Sequence, residues 1–230
     1  MKLFGHGRTR ADPRINTLAS FAWCVQAGAE GVEFDVRLTA DGQPVLHHDA
    51  ALASGQRISD TRRDALPPEV CGLDDLLALD LGVTLNVEIK NFPTDPDWDP
   101  SQRVTRATLD TLTQAATTDV IVSCFDFGAI DLVAQAAPGL ATAMLYYRVE
   151  DAEAALDDVL SHGHAIVHPY DDLVDTIFMA AATARRLTTN VWTGPRRPGR
   201  YEELLELGVD GVITSDVEAA RSAISGHRAT

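Results

Sequence analysis

Two rhythms of apolar and polar residues alternate along this chain. Short apolar runs at 2–5, 31–37, 83–89, 119–123, 141–146, 165–167, 189–192 and 211–214 predict eight strands. After each comes a stretch with helical spacing, at 17–27, 73–79, 102–116, 128–137, 152–161, 173–187, 201–207 and 217–224. Several strand runs lack a clean polar alternation, as expected where both faces of a parallel sheet are covered. Asp216 is placed to cap the last helix, and Pro138-Gly139 to stop the fourth.

Eight strand-then-helix units in 230 residues predict an α/β protein, a (β/α)8 TIM barrel forming a single domain over 1–230; such barrels run to about 250 residues. The competing architecture is an open doubly wound sheet. Against it, the first strand runs into Gly5-His6-Gly7-Arg8, with no G-x-G-x-x-G phosphate loop. Two stretches break the rhythm. Residues 38–72 hold an extra strand at 44–47 after the turn Ala40-Asp41-Gly42, and then a polar excursion. Residues 91–101 carry three prolines and three aspartates, which reads as a solvated loop. Both follow strands and so fall on the face where barrels carry their active sites.

Composition narrows the function. Hydrophobic residues at 45% and charged residues at 23% exclude a disordered or collagen-like chain. The formal net charge of −15 repels phosphate polymers and anionic headgroups, so neither nucleic acid nor a membrane surface is an expected partner. Three cysteines, an odd number without C-x-x-C spacing, speak for reduced thiols rather than a disulfide frame or zinc site. No apolar run approaches the ~20 residues of a spanning helix, and none near the start is long enough for a signal-peptide core. A soluble cytoplasmic protein is the expectation.

The chemistry concentrates on two strands. In Val32-Glu33-Phe34-Asp35-Val36 the carboxylates of Glu33 and Asp35 are two apart and share one face, while Val32, Phe34 and Val36 face the helices. In Val87-Glu88-Ile89-Lys90, Glu88 and Lys90 share a face in the same way. Buried carboxylates are costly unless a cation joins them. One solution is ion pairing, with Lys90 against Glu88. The other is a divalent ion held by Glu33, Asp35 and Glu88, with Lys90 left for a phosphate. An all-oxygen set suits Mg2+ or Ca2+ better than zinc, which favours nitrogen and sulfur. His6 follows the first strand and His48 the extra one. Either is a structural histidine or, as a pair flanking the carboxylates, a proton donor and acceptor. His47 is the weaker candidate because it faces the other way from His48. Tyr146, Tyr147 and Trp192 end strands, and Trp192 could wall a pocket. His168 is structural or pocket-lining.

These residues resemble the glycerophosphodiester phosphodiesterases, whose pattern runs H-R-G, E-N-T, G-A-D-x-x-E-x-D-V-x-x-T-x-D-G-x-x-V-x-x-H-D. Here stand His6-Gly7-Arg8, Ile15-Asn16-Thr17, and Gly28-Ala29-Glu30 through Glu33, Asp35, Thr39, Asp41-Gly42 and Val45 to His48-Asp49. Val87-Glu88-Ile89-Lys90, Ser123-Cys124-Phe125-Asp126, Trp192-Thr193 and Gly208-Val209-Asp210-Gly211 look like the family's later segments, in order. The resemblance implies a barrel that hydrolyses small phosphodiesters to an alcohol and glycerol 3-phosphate at one divalent cation. It maps the metal ligands to Glu33, Asp35 and Glu88 and the acid–base pair to His6 and His48. Two departures lie in the first loop. Gly7 replaces the arginine that contacts phosphate, leaving Arg8 or Arg10 to reach it, and Ile15 replaces the glutamate of E-N-T. The alternatives are a phospholipase D-like or cyclising lyase acting on lysolipids, and a metal-binding protein that retains phosphodiesters without turning them over. Arg196, Arg197 and Arg200 read as a solvated loop, or as a recruiting patch for anions.

Overall fold

The computed structural model describes residues 1–7, 16–194 and 197–227. Arg8, Arg10, Ile15 and Arg196 lie outside the described residues. Among the described residues, eight parallel strands close into a barrel: β1 (Lys2–Gly5), β2 (Gly31–Leu38), β4 (Thr84–Ile89), β5 (Val120–Cys124), β6 (Ala141–Tyr146), β7 (Ile166–Pro169), β8 (Thr188–Trp192) and β9 (Gly211–Thr214). The sheet runs β1-β9-β8-β7-β6-β5-β4-β2, and pairing of Phe4 with Gly31 and Gly5 with Val32 shuts the seam. The extra strand is present as β3 (Pro44–Leu46), antiparallel on β2 with Arg37 opposite Val45.

The outer wall comprises α1 (Leu18–Gln26), α2 (Leu73–Leu77), α3 (Arg103–Gln114), α4 (Phe127–Ala136), α5 (Ala152–Ser161), α6 (Thr176–Ala184), α7 (Arg200–Leu207) and α8 (Val217–His227). Val32, Phe34 and Val36 are fully buried in the layer between strands and helices. Phe34 meets Phe21 of α1 edge-on at 5.8 Å. Thr17 and Ser20 form a reciprocal capping box that starts α1. The helix expected at 173–187 starts later. Asp175 accepts from Ile177 and Phe178 N–H at 2.9 and 2.8 Å, and this cap resets the chain after a 3-10 turn at Asp171–Leu173.

Both excursions are more structured than their polarity suggests. Val45, Ile58, Leu66 and Val70 are buried together as a small second core beneath the 38–72 segment. The 91–101 loop is largely exposed, as expected, but the Asp97 side chain is only 6% exposed and paired with Arg37, so the solvated reading fails for that carboxylate. The same holds for the arginine-rich loop. Arg200 donates to the Asp171 carboxylate at 2.5 Å and to the main-chain oxygens of Asp171 and Val174, while Arg197 lies 2.7 Å from Asp171. These two guanidiniums clamp a turn at Asp171.

His168 is structural. It is fully buried, its Nε2 lies 3.1 Å from Asn190 Nδ2, and burial pushes its pKa down to about 3. The unfolded chain takes up a proton, near pH 6.5, that the folded imidazole refuses. The His168 contribution to stability is therefore fully present above about pH 6.5 and falls as pH drops towards 3, with a slope of up to one proton. Chemical denaturation of His168→Asn across pH 3–6.5 is expected to show a flatter slope than the parent; an equal slope would contradict this.

Candidate functional site

The strand register assembles the site. Glu33 pairs with Asn86, Asp35 with Glu88, and Glu88 with Ser123, so neighbouring strands present these side chains in two layers of the lumen. One oxygen from each of Glu33, Asp35 and Glu88 lies within 4.8 Å of the others. All three residues are buried, at 5%, 1% and 8% exposure. They line a cavity of about 240 Å³ at the C-terminal mouth of the barrel, together with His6, His48 and Trp192.

Two cations share the carboxylates. The Lys90 ammonium lies 2.8 Å from Asp35 Oδ1 and hydrogen-bonds Glu88 Oε1. His6 Nδ1 contacts Glu33 Oε2, and its Nε2 lies 3.8 Å from Asp35 Oδ2. The pairing of Lys90 with Glu88 is thus realised and extends to Asp35. Burial alone would lower the His6 pKa, but the Glu33 and Asp35 carboxylates outweigh it and hold it at about 9. Burial likewise opposes ionisation of Asp35, yet the charges of Lys90, His6 and His48 hold its carboxyl well below the usual range. Glu88 goes the other way: burial and the neighbouring carboxylates push it up to about 7 despite Lys90.

This donor set fits a hard divalent cation. It is all carboxylate oxygen, and Glu33 Oε1 is buried with no hydrogen-bond partner among the described residues. Burial first, and the Asp35 and Glu33 carboxylates after it, raise the Glu88 pKa, and a bound cation would oppose both effects by favouring the ionised form. Asn86 Oδ1 and Ser123 Oγ are also buried without a partner among the described residues, and both residues line the cavity. Sequence reasoning passed over these two. The signal was available, because Asn86 shares the face of Glu88 by alternation. Asn16 was quoted only as part of a motif; it brackets Asp35, donating to Oδ2 at 2.7 Å and accepting from its N–H at 3.1 Å.

The expected residues do not all stand alike. His6 is tucked against the carboxylates. His48 is 54% exposed at the rim, with Nδ1 2.7 Å from the Asp49 carboxylate. Trp192 donates its indole N–H to the His168 carbonyl at 3.1 Å. Its ring packs against Phe125, Tyr147 and Tyr170, with centroids at 6.1, 5.8 and 4.5 Å. Gly7 packs where a side chain has no room: a Cβ there would fall 2.6 Å from Ser20 Oγ and 3.0 Å from Phe21. Ser20 is committed to the α1 capping box, so a side chain at position 7 would have to displace that hydroxyl.

Comparison with known proteins bears on the family and the fold. The sequence profile of the Glycerophosphoryl diester phosphodiesterase family matches residues 5–219. A glycerophosphodiester phosphodiesterase of Caldanaerobacter subterraneus is 25% identical over 88% of this chain and 89% of its own. A crystal structure of a glycerophosphodiester phosphodiesterase from Parabacteroides distasonis superposes with a TM-score of 0.85 at 22% identity, covering 100% of this chain and 98% of the other. An Oleispira antarctica phosphodiesterase, solved with its product sn-glycerol-3-phosphate, gives 0.86 at 20% identity, over 98% and 97%. Among the described residues, no helix is long and apolar enough to cross a membrane.

Proposed function

The chain belongs to the glycerophosphoryl diester phosphodiesterase family, and on that footing we propose that it hydrolyses small glycerophosphodiesters to an alcohol and glycerol 3-phosphate. In this reading Glu33, Asp35 and Glu88 hold one divalent cation, Mg2+ or Ca2+, and His6 and His48 exchange the protons. The observation that carries it is the convergence of three buried carboxylates and two histidines on one cavity.

When bound, a divalent ion supplies Lewis-acid polarisation of a phosphoryl oxygen and offsets its growing charge. The remaining work falls to the chain. Asn16 fixes the Asp35 carboxylate from two sides. Lys90 brings a fixed positive charge to the cavity wall, where it can meet a phosphate oxygen. Arg8 is the candidate for a second such contact. Trp192 walls the pocket against the non-reacting part of the substrate. The two imidazoles give the cavity one group to take a proton from the attacking hydroxyl or water and another to protonate the departing alkoxide.

Assay of glycerophosphoethanolamine by the purified chain tests the reading. Glycerol 3-phosphate is expected with Mg2+ or Ca2+, should fall to background with EDTA, and should return when the ion is restored. A cyclic phosphate as the final product would make the enzyme a lyase, and binding without turnover would make it a binding protein.

A further inference from the structure

The lumen-facing alternation of β2 continues past Glu33 and Asp35 to Arg37, at the strand's C-terminal end and only 4% exposed. Its guanidinium divides its donors among three groups. Nε donates to the main-chain oxygen of His48 at 2.8 Å. Nη1 donates to both carboxylate oxygens of Asp97 at 2.7 and 2.9 Å. Nη2 lies 3.7 Å from Asp95. The loop that supplies those aspartates is itself fastened. Asn91 donates to the Asp99 carbonyl and to Gln102, and Gln102 donates to Asp126, each at 2.9 Å.

His48 needs such a fixture. The β3 strand ends at Leu46, and the last ladder-like bond before His48 runs from His47 N–H to the Asp35 carbonyl at 3.0 Å. Beyond it, Arg37 holds the His48 carbonyl. The imidazole is half in solvent, so packing does little to place it and the backbone position does most. We propose that Arg37 is a positioning residue for the reaction: it sets where His48 stands by tying its backbone to the 91–101 loop. The inference rests on the reading of His48 as one of the proton-transfer groups. Lysine cannot replace this arginine, because a point charge lacks the planar fork that reaches a carboxylate and a carbonyl together.

A double-mutant cycle on the full chain tests it, using kcat, KM and divalent-ion affinity for Arg37→Met, Arg37→Lys, His48→Ala and the combinations. Arg37→Met is expected to lower kcat about 10- to 100-fold, the cost of a misplaced reacting group. KM and ion affinity should stay near the parent values. In the His48→Ala background the same change should cost nothing further in kcat, because the two residues act as one unit. A merely structural arginine would reduce kcat by the same factor in both backgrounds, and that result, or an unchanged kcat in Arg37→Met, overturns the proposal. Arg37→Lys keeps the charge beside Asp97 and carries the same cycle if the methionine variant does not fold. If His48→Ala alone turns over at the parent rate, the reading of His48 fails, and this proposal with it.

Discussion

Glu33→Gln is expected to remove divalent-ion binding and turnover together while leaving the protein folded. The substitution keeps the volume and deletes one of three buried charges. Loss of a residue merely supporting a metal ligand costs about 10- to 100-fold in affinity, so losing a ligand should cost at least about 100-fold. The kcat measured at a fixed ion concentration should fall by as much or more. The metal-free protein should stay folded: the charged His6–Glu33 contact is weakened, while the charge crowding on Glu88, to which Glu33 contributes, is eased. Isothermal titration with Mg2+ and Ca2+, beside thermal unfolding with chelator, reads both halves. Parent-like ion affinity in a folded Glu33→Gln would contradict the assignment of Glu33.

His48→Ala separates proton transfer from ion binding. The ring sits at the rim with Asp49 and is 54% exposed, so its removal leaves no cavity and little lost packing. Thermal stability and divalent-ion affinity should match the parent. Loss of a general acid or base costs about 10²- to 10⁴-fold in rate, and kcat should fall within that range. His6→Ala makes the contrast: His6 touches Glu33 and approaches Asp35, so its loss should alter ion affinity as well as rate. A His48→Ala enzyme with parent kcat would remove His48 from the mechanism.

The barrel was legible because its signal is local. Buried parallel strands write apolar runs, and a two-residue alternation such as Glu33–Phe34–Asp35 states which side chain enters the lumen. The carboxylate cluster follows from the same alternation on two strands, and the register of Asp35 with Glu88 brings it together. What stayed illegible depends on partners distant in sequence. Arg37 and Asp97 are 60 positions apart, and nothing near either residue announces the other. The double engagement of Lys90 with Asp35 and Glu88 requires the β2–β4 register, of which the sequence showed only the Glu88 half. The small core of Val45, Ile58, Leu66 and Val70 follows neither helical nor strand spacing, because only Val45 comes from a strand and the other three side chains come from the irregular segment after it. The start of α6 was misplaced for a related reason. Apolar periodicity extends across 173–175, and the Asp175 cap overrides it.

Lys90 and His6 raise the question of how a divalent ion coexists with two protein cations. Counting charges with all three carboxylates ionised, one ammonium and one imidazolium leave a net −1, and −2 once His6 gives up its proton; Glu88, pushed up to about 7, contributes its charge fully only above that pH, and an incoming cation displaces its proton. With Glu88 ionised the site retains negative charge for a cation even with both partners seated, and Glu33 Oε1, without a partner among the described residues, offers it an oxygen. Asn86 and Ser123 supply further buried oxygens on the same wall, consistent with a polar ligand in the lumen.

The most direct test is a crystal structure grown with Mg2+ or Ca2+ and glycerol 3-phosphate. The account predicts a single ion bonded to oxygens of Glu33, Asp35 and Glu88, at about 2.0–2.1 Å for Mg2+ or 2.3–2.6 Å for Ca2+, with the phosphate between His6 and His48. Lys90 and His6 still fastened to the three carboxylates, with the ion bound elsewhere or absent at saturating concentration, would contradict it.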